Sequence, residues 1–282
     1  MPDKDDYFDG FGKPVLRTSY CAFLDVLGYT ARVLASEKEG SGNALLQEFH
    51  GVLSERVQEL KDESSDSLLY FKSLTDNVIL AHPRFSEDME SEFAFILWSL
   101  RRYQFQMAKK GFFIRGGLSV GALFVDENSV YGPALIEAYH LENKVAVNPI
   151  VVLSDDAMGL SLHHTGYYAG ESSPQEEDIL VGADGRFFLN YLVECVDDSD
   201  FPTVNWADLL LHKTQVESAL NEYKGDLHVF AKYAWLAAYH NYFCESKKHL
   251  VGYSDQVKIS SSLAATSFRR LSQVKAKKAG KA

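Results

Sequence analysis

The sequence has few cysteines and no apolar run long enough to span a membrane. Its three cysteines lie far apart and are odd in number, so they indicate no disulfide framework and favour a reducing compartment. The densest apolar stretch, 93–98, is too short to cross a bilayer, and the acidic amino terminus lacks the apolar segment of a secretory leader. We therefore expect a soluble, cytoplasmic protein without a membrane span.

The chain has fewer basic than acidic residues and lacks several common functional motifs. The chain has 28 lysines and arginines against 39 aspartates and glutamates, a formal net charge of -11, which argues against a general nucleic-acid binder. It lacks a P-loop, a dinucleotide-binding glycine fingerprint, and the Cys-x-x-Cys and His-Glu-x-x-His patterns of zinc sites. The Gly-x-Ser-x-Gly spacing at 117–121 matches a hydrolase nucleophile elbow, but a strand and a turn follow it where that elbow requires a helix.

The chain does contain an alternation of strand-like and helix-like segments, within 282 residues of ordinary globular composition. Short apolar runs bounded by turn residues predict strands at 19–28, 67–83 (a hairpin), 112–125, 150–154 and 187–193. Apolar residues at spacings of three and four predict helices at 45–61 and 93–110, and Gly132-Pro133 predicts the start of another. This order predicts an α/β sandwich in which helices flank a mixed sheet.

Three regions are predicted along the chain. Residues 1–200 form the α/β domain, with the Gly-, Ser- and acid-rich stretch 163–185 as a surface excursion within it. Residues 201–268 form a carboxy-terminal helical extension, because helical patterns run from Trp206 to Tyr223 and from Leu227 to Glu245. Residues 269–282 are basic and contain no acid, which is typical of a frayed, solvated terminus.

Two aspartates are the main candidates for chemistry. Asp25 interrupts an otherwise apolar strand, where an ionised carboxylate needs a cation or strong hydrogen-bond donors to offset its burial. Asp76 lies in the predicted hairpin turn. The structural alternative is that Asp25 caps the loop that follows it and that Asp76 only makes the turn, a common role for turn aspartates.

The motifs around these aspartates resemble those of class III nucleotidyl cyclase domains, over roughly residues 15–155. FLDVLGYT (23–30) is similar to the family's first metal-binding strand, and KSLTD (72–76) is similar to its Lys-Thr-Ile-Gly-Asp hairpin. RGGLSVG (115–121) and YGPALIEAYHLE (131–142) resemble the family's glycine-containing strand and the helix that follows. Four motifs in the family's order are a more specific signal than any one of them alone.

The resemblance implies the family's mixed sheet and an active site with two metal ions. Asp25 and Asp76, with the backbone carbonyl of Val26, would hold two Mg²⁺ or Mn²⁺ ions, which prefer carboxylate and phosphate oxygens. Backbone N–H groups at a loop-to-helix junction would bind the β- and γ-phosphates of a nucleoside triphosphate. The residues of that junction are Gly28, Tyr29 and Thr30.

Recognition of the base is implied for a second group of residues. In the family, the base is chosen by the hairpin strand and by a position before the later helix, which here correspond to Lys72 and Ser129. Tyr70 shares a strand face with Lys72 and is a candidate to contact the base. A lysine donates equally well to a purine nitrogen and to a pyrimidine carbonyl oxygen. The structural alternatives are a half-exposed strand lysine and a core tyrosine.

The later helix departs from the pattern of purine cyclases. Ile136 and His140 stand where those enzymes carry an asparagine and an arginine that stabilise the transition state; isoleucine donates no hydrogen bond, and histidine is a pH-dependent cation. Arg115, inside a strand, is the candidate to replace the missing cation, with a structural ion pair as the alternative. Arg186 is a second candidate to reach the triphosphate.

Further segments resemble the bacterial pyrimidine cyclases of the Pycsar anti-phage system, namely 132–142, 184–192 and 232–241. This resemblance implies a homodimer, with active sites at the subunit interface, that converts UTP, ahead of CTP, into the 3′,5′-cyclic monophosphate and pyrophosphate. Cyclic UMP would then act as a second messenger on a separate effector. The alternatives are a cytidylate cyclase, an adenylate cyclase, and a nucleotide-binding dimerisation module without turnover.

Overall fold

The computed structural model describes residues 6–63, 69–168, 173–197, 201–260 and 266–273. The strands are β1 Arg17–Val26, β2 Tyr70–Leu74, β3 Asn77–Pro83, β4 Ile114–Val125, β5 Val130–Tyr131, β6 Val151–Leu153, β7 Ile179–Val181, β8 Phe187–Leu189, β9 Val196–Asp197, β10 Thr203–Val204 and β11 Arg269–Arg270. The helices are α1 Tyr29–Lys38, α2 Gly42–Glu63, α3 Glu90–Lys109, α4 Pro133–His140, α5 Asp155–His164, α6 Pro174–Asp178, α7 Trp206–Glu222 and α8 Leu227–Ser246. No helix in these ranges is both long enough and apolar enough to cross a membrane.

The large sheet is mixed. Its strand order is β11-β7-β8-β6-β4-β1-β3-β2, with β5 added beside β4. The pair β4–β6 is parallel and the other neighbours along this order are antiparallel. Strands β9 and β10 form a separate small ribbon. The predicted fold class, an α/β sandwich with helices flanking a mixed sheet, is confirmed.

Strand β1 lies between β3 and β4, and its side chains alternate between the two faces of the sheet. Ala22 and Leu24 pack into the core beneath α2 and α3. Cys21 and Phe23 belong to a smaller cluster with Ala134 and Ala138 of α4. The alternation therefore places Asp25 on the face that α4 covers.

Helix α4 approaches β4 closely because β4 carries glycine beneath it. A methyl group at Gly117 would overlap the Ala138 carbonyl and the side chain of Leu141, so no larger residue fits without moving the helix. A π-helical turn, Leu141–Val145, continues α4 and brings Glu142 over β4. The glycines of RGGLSVG thus determine how near the α4 side chains come to Asp25 and Arg115.

The helical extension shares a core with the sheet domain. Helices α7 and α8 pack together, and aromatic side chains of α8 such as Tyr239 contact Phe188 of β8 and Tyr191. This shared packing gives the two regions one continuous hydrophobic cluster. The boundary near residue 200 stays a prediction.

Two stacked histidines lie fully buried where α7 and α8 meet. The Nδ1 atoms of His212 and His240 are 3.0 Å apart, and His240 Nε2 donates to the Val257 carbonyl at 2.9 Å. His240 Nδ1 therefore accepts from His212 Nδ1–H, and His212 Nε2 accepts from the Tyr191 hydroxyl at 2.8 Å. Burial lowers the pKa of His240 to about 4 and lowers that of His212, which keeps both rings neutral near neutral pH.

The structure corrects three expectations. The stretch 163–185 is not only a surface excursion, because β7 (Ile179–Val181) is fully buried and pairs with β8. The strand predicted at 187–193 ends at Leu189 and gives way to a 3₁₀ turn, Tyr191–Cys195.

The carboxy terminus is not frayed at its start, since Arg269–Arg270 form β11 against β7 and Leu271 is fully buried. The rest of the tail, 274–282, and the predicted start of the hairpin at 67–68 lie outside the described residues.

Candidate active site

Asp25 and Asp76, about fifty positions apart in sequence, lie together at one end of the sheet. Asp25 is the penultimate residue of β1, and β3 pairs with β1 in a register that matches Leu24 with Val78. Continuing that register brings the β2–β3 turn, which contains Asp76, beside the end of β1. The two carboxyl groups are within hydrogen-bonding reach of each other.

This end of the sheet carries an excess of negative charge. Burial, Asp76 and Glu142 raise the pKa of Asp25 to about 7, although Arg115 acts in the opposite direction. Arg115 lies directly across from Asp25 on β4, and its Nη2 is 3.4 Å from Asp25 Oδ2. The same guanidinium forms an ion pair with Glu142, whose side chain is only 5% exposed. Arg115 is thus paired with two of three neighbouring carboxylates, those of Asp25 and Glu142 but not that of Asp76.

The donor set at Asp25 and Asp76 fits a hard divalent cation. Mg²⁺ is commonly held by one or two carboxylates and completes its shell with water and substrate phosphates. Across the described residues, no group of three or more His, Cys, Asp or Glu side chains could hold a metal ion, so further ligands would come from backbone, water or substrate. The partly buried carboxylate pair has the unbalanced charge that such an ion would offset.

The raised pKa of Asp25 predicts how pH affects the metal-free protein. With its raised pKa, Asp25 binds a proton more tightly in the folded state than in the unfolded chain. This tighter proton binding stabilises the folded state at low pH, and the stabilisation is lost as the pH rises through about 7. Relative to Asp25→Asn, the wild-type protein in EDTA should lose about 1–3 kcal/mol of unfolding free energy between about pH 5 and about pH 8. Urea unfolding at several pH values measures this difference, and parallel curves for the two proteins would contradict it.

The loop after β1 presents free backbone donors. Gly28 adopts a left-handed conformation (φ 75°), the region glycine favours, and precedes α1 without a side-chain cap. The first N–H groups of α1 therefore have no capping partner from Gly28 and suit an anion at the helix amino terminus. The Tyr29 ring packs on Phe49 at 4.9 Å between centroids, so the side chain of Tyr29 points into the core while Thr30 is exposed. Val26 ends β1 and its side chain is buried.

The residues predicted to recognise the base lie on the same sheet face as Asp25. Lys72 pairs with Ile79, which pairs with Phe23, two residues before Asp25. Lys72 lies near enough to Asp126 to contribute to its lowered pKa, whose larger causes are backbone hydrogen bonds from Asn128 and Ser129. The Ser129 hydroxyl also donates to Asp126, at 3.1 Å.

Tyr70 contacts the amino-terminal segment. Its ring packs edge-on against the fully buried Tyr7 at 5.2 Å, and its hydroxyl donates to Asp6 Oδ2 at 3.4 Å. Tyr7 in turn is anchored by a 2.8 Å hydrogen bond between its hydroxyl and that of Ser19. Tyr70 therefore packs against a core cluster, and its contact with a base stays a prediction.

The remaining predicted residues make no described contact with Asp25 or Asp76. His140 ends α4 and is exposed, as is Ile136, which is 69% exposed. Arg186 lies in the β7–β8 turn, where it donates to the Val145 carbonyl at 2.8 Å and faces Asp184 at 3.6 Å. The hydrogen bond to Val145 ties Arg186 to the π-helical turn.

Sequence reasoning missed two contributors to this region. Glu142 closes the YGPALIEAYHLE motif, but only the fold shows that it shares Arg115 with Asp25. Asp126 follows β4, and the structure gathers Ser129 and Lys72 around it. The sequence signal for both residues is weak, since an acid at a helix end or in a turn is common.

No protein-family model matches this sequence, and no curated protein matches it. Solved structures to which it is similar include the monomeric guanylyl cyclase domain of the RhoGC fusion protein from the aquatic fungus Blastocladiella emersonii, with 12% identity and a TM-score of 0.43 over 62% of this chain and 95% of that chain. A class III adenylyl cyclase-like ATP-binding protein from Pseudomonas aeruginosa is 14% identical, with a TM-score of 0.43 over 56% of this chain and 38% of that chain.

The guanylate cyclase domain of RhGC from Catenaria anguillulae, in complex with GTP, is 13% identical, with a TM-score of 0.40 over 62% of this chain and 96% of that chain. Because these TM-scores lie below 0.5, the similarity adds no support to an activity. We base the function proposed below on this chain's own side chains.

Proposed function

We propose that this protein is a nucleotide cyclase, which converts a nucleoside triphosphate into a 3′,5′-cyclic monophosphate and pyrophosphate. In this reaction the ribose 3′-oxygen bonds to the α-phosphorus, the bond from that phosphorus to the β-phosphate oxygen breaks, and the hydroxyl proton is released. The observation that carries the proposal is the partly buried pair of Asp25 and Asp76, with unbalanced negative charge, at adjoining strand ends.

Each group at this end of the sheet has a proposed role. Asp25 and Asp76, with the carbonyl of Val26, would hold two Mg²⁺ or Mn²⁺ ions. Bound there, such ions supply the charge that lowers the pKa of the 3′-hydroxyl and neutralises the departing pyrophosphate. The N–H groups at Gly28, Tyr29 and Thr30 would bind the β- and γ-phosphates.

Arg115 orients Asp25 in this proposal. Its guanidinium spans Asp25 and Glu142, which fixes the Asp25 side chain on the face of the sheet toward the substrate. Because two carboxylates already neutralise Arg115, we assign it a positioning role. That Arg115 also contacts the substrate, as the sequence predicts, is a second proposed role.

For the base, we propose a pyrimidine, with UTP ahead of CTP. Lys72 and Asp126 together offer a donor and an acceptor beside Tyr70, a combination that suits uracil O4 and N3–H as well as cytosine N3 and N4–H₂. The resemblance to Pycsar cyclases is the support for a pyrimidine, for an anti-phage role and for a separate effector that cyclic UMP activates.

We also propose a homodimer. The exposed side of α4 and of the neighbouring β5 is apolar, with Ile136 and Tyr131 each 69% exposed and Tyr139 48% exposed. A second copy that covered this surface would approach the face of the sheet that holds Asp25 and Lys72. His140 and Ser129, both at the edge of this face, would then lie near the interface.

Incubation with Mn²⁺ and each of the four nucleoside triphosphates, followed by chromatography, tests both the reaction and the base. We expect cyclic UMP as the main product, with less cyclic CMP, and one pyrophosphate released for each cyclic nucleotide. Cyclic AMP as the main product would replace the pyrimidine proposal with an adenylate cyclase. Tight nucleotide binding without pyrophosphate release would replace the cyclase by a binding module, the interpretation that Ile136 and His140 favour.

A further inference from the structure

The helical extension reaches the end of the sheet where the carboxylate pair lies. The Tyr233 ring of α8 packs edge-on against Phe113 at 5.4 Å between centroids. Phe113 is two residues before Arg115, and its carbonyl accepts a hydrogen bond of 2.8 Å from the N–H of Leu27, next to Gly28. The first turns of α8 therefore lie beside the phosphate-binding loop proposed above.

Helix α1 also contacts this part of the extension. Arg32, in the first turn of α1, donates to the Gly111 carbonyl at 2.9 Å and lies over the Phe112 ring at 4.4 Å. Its charge also acts on Tyr223 and Tyr233, whose rings stack 5.6 Å apart. The start of α1, the start of β4 and the start of α8 thus enclose one region.

Lys232 lies on α8 at the border of this packing. Tyr233, next to it, is buried, and Val229, one turn earlier, packs in the same cluster as Leu27 and Val145. Lys232 itself is partly buried, and no described residue forms an ion pair with it. Burial and the positive charge of Arg115 lower the pKa of Lys232, so the ammonium lies within electrostatic reach of Arg115, which is itself paired with Asp25.

Lys232 and Arg115 differ in how their charges are balanced. Arg115 is held by Asp25 and Glu142, whereas among the described residues Lys232 has no ion pair and only the charge of Asp226 to offset it. Two neighbouring cations are costly in a partly desolvated region unless an anion joins them. A polyphosphate at the amino terminus of α1 would be that anion, since it would carry several charges into the same region.

We propose that Lys232, supplied by the helical extension of the same chain, binds the triphosphate of the substrate. This inference rests on the proposed function, because it concerns the substrate of that reaction. It gives the extension a role in substrate binding in addition to its packing: α8 completes the polyphosphate site that the sheet domain begins with Gly28. A lysine acts there as a point charge on a flexible stem, so an arginine should replace it in part.

The test compares Lys232→Gln and Lys232→Arg with a matched control, Lys224→Gln. Lys224 is exposed in the connection between α7 and α8, and its replacement by glutamine removes the same charge. The full chain is used throughout, with circular dichroism and thermal unfolding to verify that each variant is folded. Two readouts are measured: KM and kcat for the preferred nucleotide with Mn²⁺, and the Kd for tripolyphosphate by calorimetry.

We expect Lys232→Gln to raise both KM and the Kd for tripolyphosphate by about tenfold or more, as the loss of a charged hydrogen bond does. Lys232→Arg should recover most of the affinity, and Lys224→Gln should match wild type. Unchanged KM and Kd in Lys232→Gln, alongside normal turnover, would overturn the role of Lys232 and leave the cyclase intact. If the wild-type protein shows no turnover but Lys232→Gln binds tripolyphosphate more weakly than wild type, the phosphate-binding role of Lys232 is supported and the cyclase proposal is overturned.

Discussion

Asp25→Ala and Asp76→Ala are each expected to lower the rate of cyclic nucleotide formation by more than about 100-fold. Residues that only support a metal ligand are commonly worth about 10–100-fold, so removal of a proposed ligand should cost more. Asp25 lies near the end of β1 and Asp76 in the β2–β3 turn, but their carboxyl groups are within hydrogen-bonding reach, so either substitution breaks the pair. Product formation by chromatography and pyrophosphate release measure the loss.

The control for this prediction is Asp197→Ala, which removes an exposed carboxylate from β9. It should retain normal turnover, and thermal unfolding should show that the active-site variants are folded. Calorimetric titration with Mn²⁺ adds a second readout, because both active-site variants should bind the ion more weakly. Turnover within a few-fold of wild type in Asp25→Ala or Asp76→Ala would remove the basis of the proposed mechanism.

Arg101→Ala is expected to lower the free energy of unfolding by about 3–5 kcal/mol, the usual cost of removing one partner from a buried ion pair. Arg101 of α3 bonds to Asp178 at 2.6 Å and to Glu194 at 2.9 Å, and its side chain is 14% exposed. Without the guanidinium, two largely buried carboxylates would lose their counter-ion. Urea unfolding measures the change.

Two further variants separate the lost charge from lost packing. Arg101→Lys keeps the charge but not the planar fork that reaches both carboxylates, so its loss should be intermediate. A triple variant, Arg101→Met with Asp178→Leu and Glu194→Met, should recover most of the stability, because it leaves no carboxylate without a partner. A triple variant as unstable as Arg101→Ala would show that packing, and not the unpaired charge, is responsible.

The main elements of the fold could be predicted from periodicity. Helix α3 was expected at 93–110 and runs from Glu90 to Lys109, ending before Gly111, whose φ of 78° suits glycine. Helices α7 and α8 differ from the prediction by one residue at one end. These elements are long and strongly patterned, so local sequence determines them.

Short buried strands could not be predicted in the same way. Strand β7 has three residues inside a polar stretch, and β11 has two arginines in a basic tail. Neither has a local pattern long enough to indicate a strand. Each forms because a neighbouring strand offers unpaired backbone groups at the right place, which is a property of the assembled sheet.

By itself, the sequence determined which residue types stand in which motif: an acid in an apolar strand, an acid in a hairpin turn, and a glycine before a helix. It also determined the long helices and the strands around these motifs. Only the tertiary structure decided which charges meet. It brought Asp76 to Asp25, shared Arg115 between Asp25 and Glu142, and placed Lys232 near Arg115 from a helix more than a hundred positions away. Electrostatic interactions depend on distance in space and on burial, and strand register and helix packing set both.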